Sequence, residues 1–255
     1  MTVELYAMTC GRLTGDFGRL MEGGEGQVTL PIPSFLIEHT KGRALFDTGI
    51  HPQCSSDPVG RLGERVPKLF SFADFGAKDD IKSKLEAFDR DVGKIDYIIN
   101  SHLHFDHAGG NGLVRNATII IQKREWQAGH DPETAAKVGF HKIDYDHGHP
   151  VKQVEGEYDV FGDGSVVTIP TWGHTPGHQS LRVRTEKGEV VLTGDSCYFC
   201  RTLRERRLPR FVFDRQQMLA SLDRLEALEK GGARLIFGHD AEFWRDVPQA
   251  PSPLF

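Results

Sequence analysis

Short apolar runs bounded by glycine and proline recur along the chain and set its expected skeleton. Runs at 3–8, 34–38, 44–47, 97–100, 118–122, 166–170, 180–184, 190–193 and 235–237 have the length and flanking turn residues of strands. Two stretches carry the helical period instead. Residues 78–91 place Ile81, Leu85 and Phe88 on one face, and 214–229 place Met218, Leu222 and Leu225 in a stripe. Asp214 is positioned to cap the second helix, and Gly231 and Gly232 come after its end. Interleaved strands and helices predict an α/β or α+β protein with large sheets.

Two halves of the chain echo each other. Lys41-Gly-Arg-Ala-Leu-Phe-Asp47 resembles Lys187-Gly-Glu-Val-Val-Leu-Thr-Gly-Asp195: a turn, a short apolar strand, then an aspartate. Ile98-Ile-Asn-Ser-His102 resembles Leu235-Ile-Phe-Gly-His239, an apolar strand running into a histidine. No linker or low-complexity segment interrupts the chain, so residues 1–255 are expected to form one domain.

Composition narrows the classes of function. A chain of 255 residues can bury about 70–75% of its unfolded surface, enough for a large core. Lysine and arginine number 31 against 36 acids, and a net charge of −5 argues against a general nucleic-acid partner. No apolar run approaches the ~20 residues needed to span a bilayer, so no membrane partner is expected. The first residues lack a basic segment followed by an apolar one, which predicts a cytoplasmic protein. Cys10 and Cys54 stand alone. Cys197 and Cys200 form a single C-x-x-C with neither the second pair of a zinc knuckle nor a thioredoxin-like context, so reduced thiols are expected. Leu254 and Phe255 end an extended, proline-rich C-terminus.

Histidine placement changes the picture. Ser101-His-Leu-His-Phe-Asp-His107 sets three histidines and an aspartate directly after an apolar strand. Imidazole and carboxylate together suit Zn²⁺ and related divalent ions. In an extended segment His102 and His104 point the same way and can clamp one ion. Once the chain turns, Asp106 and His107 can face a second. Thr171-Trp-Gly-His174-Thr-Pro-Gly-His178, Leu192-Thr-Gly-Asp195-Ser and Ile236-Phe-Gly-His239-Asp offer further ligands at strand ends, where rigid scaffolds place reactive groups. His147-Gly-His149 mimics a ligand pair but sits in a polar loop.

The pattern H-x-H-x-D-H followed by a distant histidine, aspartate and histidine resembles the metallo-β-lactamase superfamily. The likeness runs from Asp47-Thr48-Gly49 to Gly238-His239-Asp240. It implies a four-layer αββα sandwich of two similar halves, with two metal ions, Zn²⁺ by expectation, in a cleft at one edge. It implies one ion held by His102, His104 and His174, and another by Asp106, His107 and His239, with Asp195 bridging. His178 and Asp47 would then support the ligands rather than bind.

Within that superfamily, His102-Leu-His-Phe-Asp-His-Ala-Gly-Gly-Asn111 and His174-Thr-Pro-Gly-His-Gln-Ser-Leu181 resemble the N-acyl-homoserine lactonases. Tyr198, three residues after Asp195, adds to the likeness. The resemblance implies a small-molecule lactone as partner, opened by a metal-bridging hydroxide in a quorum-quenching activity. Tyr198 would stabilise the oxyanion, and Asp106 would shuttle the proton. A different lactone or a glyoxalase II-like thioester is the alternative substrate, and monomer and homodimer both remain open. Phe70, Phe72 and Phe75 suit either an acyl-chain pocket or the core. The basic segment 201–210 reads as a solvated loop or as a cationic rim drawing an anionic substrate or product.

Overall fold

The computed structural model describes residues 3–254; Met1, Thr2 and the Phe255 of the expected C-terminal pair lie outside the described residues. Among the described residues, twelve strands form two sheets. In chain order they are β1 (Glu4–Asp16), β2 (Gln27–His39), β3 (Gly42–Phe46), β4 (Phe70–Ser71), β5 (Tyr97–Ile99), β6 (Thr118–Gln122), β7 (Val151–Val154), β8 (Tyr158–Asp159), β9 (Val166–Pro170), β10 (Gln179–Thr185), β11 (Gly188–Leu192) and β12 (Arg234–Ile236). The larger sheet runs β4-β1-β2-β3-β5-β6-β7 and the smaller β12-β11-β10-β9-β8.

Alternation along the strands decides the layering. Phe35, Ile37, Ala44, Phe46, Ile99 and Ile120 face inward and meet Val166, Leu181, Val183, Val190, Leu192 and Ile236 of the other sheet. Their neighbours Leu36, Leu45, Ile98 and Ile119 face outward and pack against the helix Ile81–Glu86. On the far side Ile169, Val191 and Leu235 are covered by Met218, Leu222 and Leu225 of the helix Arg215–Lys230. The result is the expected αββα stack. Asp214 caps that last helix by accepting from the Gln217 amide.

The sequence echo corresponds to a repeated topology. β2 and β3 form an antiparallel hairpin and β5 joins β3 in parallel, with Phe46 opposite Ile99. In the smaller sheet β10 and β11 form the hairpin and β12 joins in parallel, with Leu192 opposite Ile236. Each half therefore delivers an aspartate after its hairpin and a histidine after its parallel strand at the same sheet edge.

Two expectations needed correction. β1 and β2 are longer than the apolar runs suggested, and β2 contains Pro31 and Pro33. Both prolines lie in the half of β2 that pairs with β1 alone, because β3 pairs only from Phe35 onward. A missing N–H costs no ladder bond on that free side. The first helix is shorter than 78–91: Asp80 caps it at Ile81, and the chain leaves it before Asp89, which sits at φ 61°.

Phe72 and Phe75 are buried in a satellite core with Leu13, Ile32 and Ile50, whereas Phe70 is partly buried against it. All four cysteines are free. No helix among the described residues is long and apolar enough to cross a membrane.

Leu181 is fully buried between the sheets. Leu181→Ala is expected to cost about 2–5 kcal/mol of unfolding free energy, read from urea denaturation.

Candidate metal centre

The strand ends bring seven side chains to one buried point. His102 and His104 lie on the turn after β5, and Asp106 and His107 on the short helix Phe105–Ala108 just beyond it. His174 comes from the loop between β9 and β10, Asp195 from the turn after β11, and His239 from the loop after β12. Ligand atoms of His102, His104, His174 and Asp195 lie within 4.8 Å of one another, as do those of Asp106, His107 and His239. Asp195 faces both groups. One oxygen lies 3.3 Å from His174 Nε2, the other 3.1 Å from His107 Nε2 and 3.0 Å from His239 Nε2.

Outer hydrogen bonds fix which ring nitrogens face inward. His104 Nε2 donates to the Val138 carbonyl at 2.9 Å, so its Nδ1 carries a lone pair. Ser101 Oγ donates to Asp47 at 2.7 Å and accepts from His102 Nδ1 at 2.9 Å, leaving His102 Nε2 bare. These two bare nitrogens lie 2.8 Å apart, and His174 Nε2 lies 3.0 Å from His104 Nδ1. Burial holds the pKa of all three imidazoles below the ordinary histidine value, so no added proton sits between His102 Nε2 and His104 Nδ1. A divalent cation would relieve the repulsion of those lone pairs.

The second group asks for positive charge differently. His107 Nδ1 donates to Asp47 at 2.9 Å and His239 Nδ1 to the Pro31 carbonyl at 2.9 Å, turning both Nε2 atoms inward. Burial opposes charge on these rings. The carboxylates of Asp195 and Asp106 nevertheless pull both pKa values up, that of His107 with further help from Asp47. His107 Nε2 and Asp195 Oδ1 are buried without a hydrogen-bond partner. Imidazole nitrogens converging on carboxylates are the donor set that Zn²⁺-like ions take, and the residues fit such a group.

His178 has a different role. Its Nε2 accepts from the Asp195 backbone amide at 3.0 Å and its Nδ1 meets Thr171 Oγ1 at 3.0 Å, so both nitrogens are used. Gly194 permits this approach: it sits at φ 54°, and a Cβ there would come within 2.9 Å of His178 Nε2. Asp47 also adopts a left-handed conformation, φ 59°, while holding the Ser101 amide, the Ser101 hydroxyl and His107. A non-glycine residue there stores about 1–3 kcal/mol of strain.

Glu125 and Ser101 had no reading of their own in the sequence. Glu125 is fully buried and bonds to the Leu103 amide, between His102 and His104, and to Thr175 Oγ1 and the Gly177 amide after His174. It ties together two segments that carry the first group; burial raises its pKa to about 7. No spacing marks such a residue. Ser101, by contrast, stands directly before His102, a position that invites an outer partner. His147 and His149 bond to the carbonyls of Asp144 and Val114, apart from the cluster.

A cavity of about 410 Å³ opens above the cluster, lined by His104, Asp106, His174, Asp195 and Tyr198 at its base. Phe70, Phe105, Val138, Phe140 and His141 form part of its walls. Tyr198 is buried and packs edge-on against His174 and His239. Burial, with Asp195 and Asp106 nearby, holds its phenol well above the ordinary value, so it stays a donor.

Residues 28–239 match the family described as the metallo-beta-lactamase superfamily. An N-acyl homoserine lactonase, AttM, of Azorhizobium caulinodans is 31% identical over 98% of this chain and 97% of its own length. The N-acyl homoserine lactonase AiiA of Bacillus thuringiensis subsp. kurstaki is 34% identical over 95% of each. A solved N-acyl homoserine lactone hydrolase, with N-hexanoyl-L-homoserine bound at its catalytic metal centre, superposes with a TM-score of 0.88. It is 32% identical, and the match covers 99% of this chain and 100% of that one.

Asp47→Asn removes a charged acceptor from His107. It is expected to weaken zinc affinity about 10- to 100-fold in a competition titration against a chelating dye.

Proposed function

The chain belongs to the metallo-beta-lactamase superfamily, and we propose that it is a metal-dependent hydrolase opening the lactone ring of N-acyl homoserine lactones. The observation that carries this reading is a buried phenol donor beside seven converging metal-type ligands at the base of a partly apolar cavity. His102, His104 and His174 would hold one divalent ion, and Asp106, His107 and His239 another, with Asp195 between them. Zinc suits the nitrogen-rich set. Bound there, the ions supply Lewis acidity that makes water nucleophilic near neutral pH.

The chain's own residues do the rest. Tyr198, kept protonated, donates a hydrogen bond to the carbonyl oxygen as it gains negative charge. Asp106 Oδ takes the proton released by the attacking water and returns it to the ring oxygen as the C–O bond breaks. Ring opening thus adds one water and leaves an alcohol and a carboxylic acid, which releases its proton to solvent at neutral pH. Walls such as Phe70, Phe105 and Phe140 offer the acyl chain an apolar path. We also place the protein in a reducing, cytoplasmic compartment, a reading supported by its four free thiols.

Mass spectrometry of N-hexanoyl homoserine lactone with zinc-loaded protein is expected to show the gain of one water. His107→Ala should lose both metal and this activity. Lack of product from wild-type protein with both ions bound would move the substrate to another lactone or a thioester. Tyr198→Phe is expected to keep the metal and lose about 10²-fold in kcat; an unchanged kcat would remove Tyr198 from the reaction.

A further inference from the structure

The basic segment 201–210 is mostly not a free rim. Arg201 and Arg207 pair with Glu205, Arg204 makes a two-pronged pair with Glu229, and Arg206 reaches Asp223 and Glu226. Arg210 is the exception: it is exposed, and it lines the mouth of the cavity. Two other exposed cations from distant parts of the chain line the same cavity, Arg65 on the helix Arg65–Leu69 and Lys137 on the helix Pro132–Val138.

Among the described residues, the cavity lining holds only two carboxylates, Asp106 and Asp195, both at the metal-type cluster. None stands with Arg65, Lys137 or Arg210. Exposed aromatic rings lie beside these cations. Phe211 is 43% and Phe213 36% exposed, and Lys137 Nζ sits 5.7 Å from the Phe213 ring. The loop that carries these rings is fastened to the reaction end, because the Phe213 amide donates to the His174 carbonyl at 3.1 Å. In a protein of net charge −5, a mouth with three cations and no acid is a local reversal of sign.

A neutral acyl chain gains nothing from that reversal. A chain that is apolar along its length and negative at its far end matches aromatic walls leading to an arginine and lysine rim. We propose that the cavity mouth, through Arg65, Lys137 and Arg210, is a subsite for a carboxylate at the end of the acyl chain remote from the lactone ring. This rests on the lactonase reading and names the substrate class within it: acyl homoserine lactones whose acyl group carries a terminal carboxylate.

The test compares N-acyl homoserine lactones of matched chain length, with and without a terminal carboxylate, across a series of lengths. At low salt the carboxylated member is expected to have the higher kcat/KM, by about tenfold at the best length, mainly through KM. The advantage should shrink as ionic strength rises. In the triple variant Arg65→Gln, Lys137→Gln, Arg210→Gln the ratio of the two kcat/KM values should fall to about one. Arg207→Gln, whose guanidinium is tied to Glu205, should leave that ratio as in wild type. Equal kcat/KM for both members at every length would overturn the subsite while leaving lactone opening intact. Hydrolysis of neither member would overturn the lactonase reading itself. Equal ratios together with rim-dependent binding to anionic phospholipid vesicles would assign the cations to a membrane surface and overturn the subsite too.

Discussion

Everything in this site depends on one electrostatic conflict. His102 Nε2 and His104 Nδ1 lie 2.8 Å apart as bare lone pairs, because the other nitrogen of each ring is committed outward. Hydrogen bonding cannot resolve that contact, and burial keeps the rings neutral. Only a cation makes such an arrangement favourable. The surrounding structure accepts real costs to preserve it, including Asp47 held at a positive φ and the buried carboxylate of Glu125.

The duplicated topology explains how two metal-type groups come to share one carboxylate. Each hairpin-plus-parallel-strand unit ends in an aspartate and a histidine at the same edge. Asp47 of the first half and Asp195 of the second nevertheless do different work. Asp47 lies behind His107 and orients it, while Asp195 stands between the groups and faces both. One repeat element supports a histidine from outside, and the other lies between the two groups.

Much of this was legible in the residues. Histidine and aspartate at strand ends are visible because strands are short apolar runs, and the residues just past a run lie at a sheet edge. The same runs predicted large sheets and a repeated pattern, whereas the αββα sandwich of two halves followed only from the resemblance to the metallo-β-lactamase superfamily. The long β1–β2 hairpin was not, because Pro31 and Pro33 read as breaks until pairing shows that their missing amides fall on a free side. Glu125 was hidden for another reason: its partners, Leu103 and Gly177, are distant in sequence, and no period connects them. The basic segment 201–210 stayed open between a solvated loop and a cationic rim. Which arginines are neutralised depends on carboxylates of the helix Arg215–Lys230, and which remain free depends on where the chain leaves the cavity mouth.

Lone-pair convergence is tested most directly by elemental analysis of the purified chain after dialysis against zinc and removal of excess ion. Two divalent ions per folded chain is the expected result, one for each converging group. A folded, monodisperse protein that retains no divalent ion would contradict a metal-dependent site.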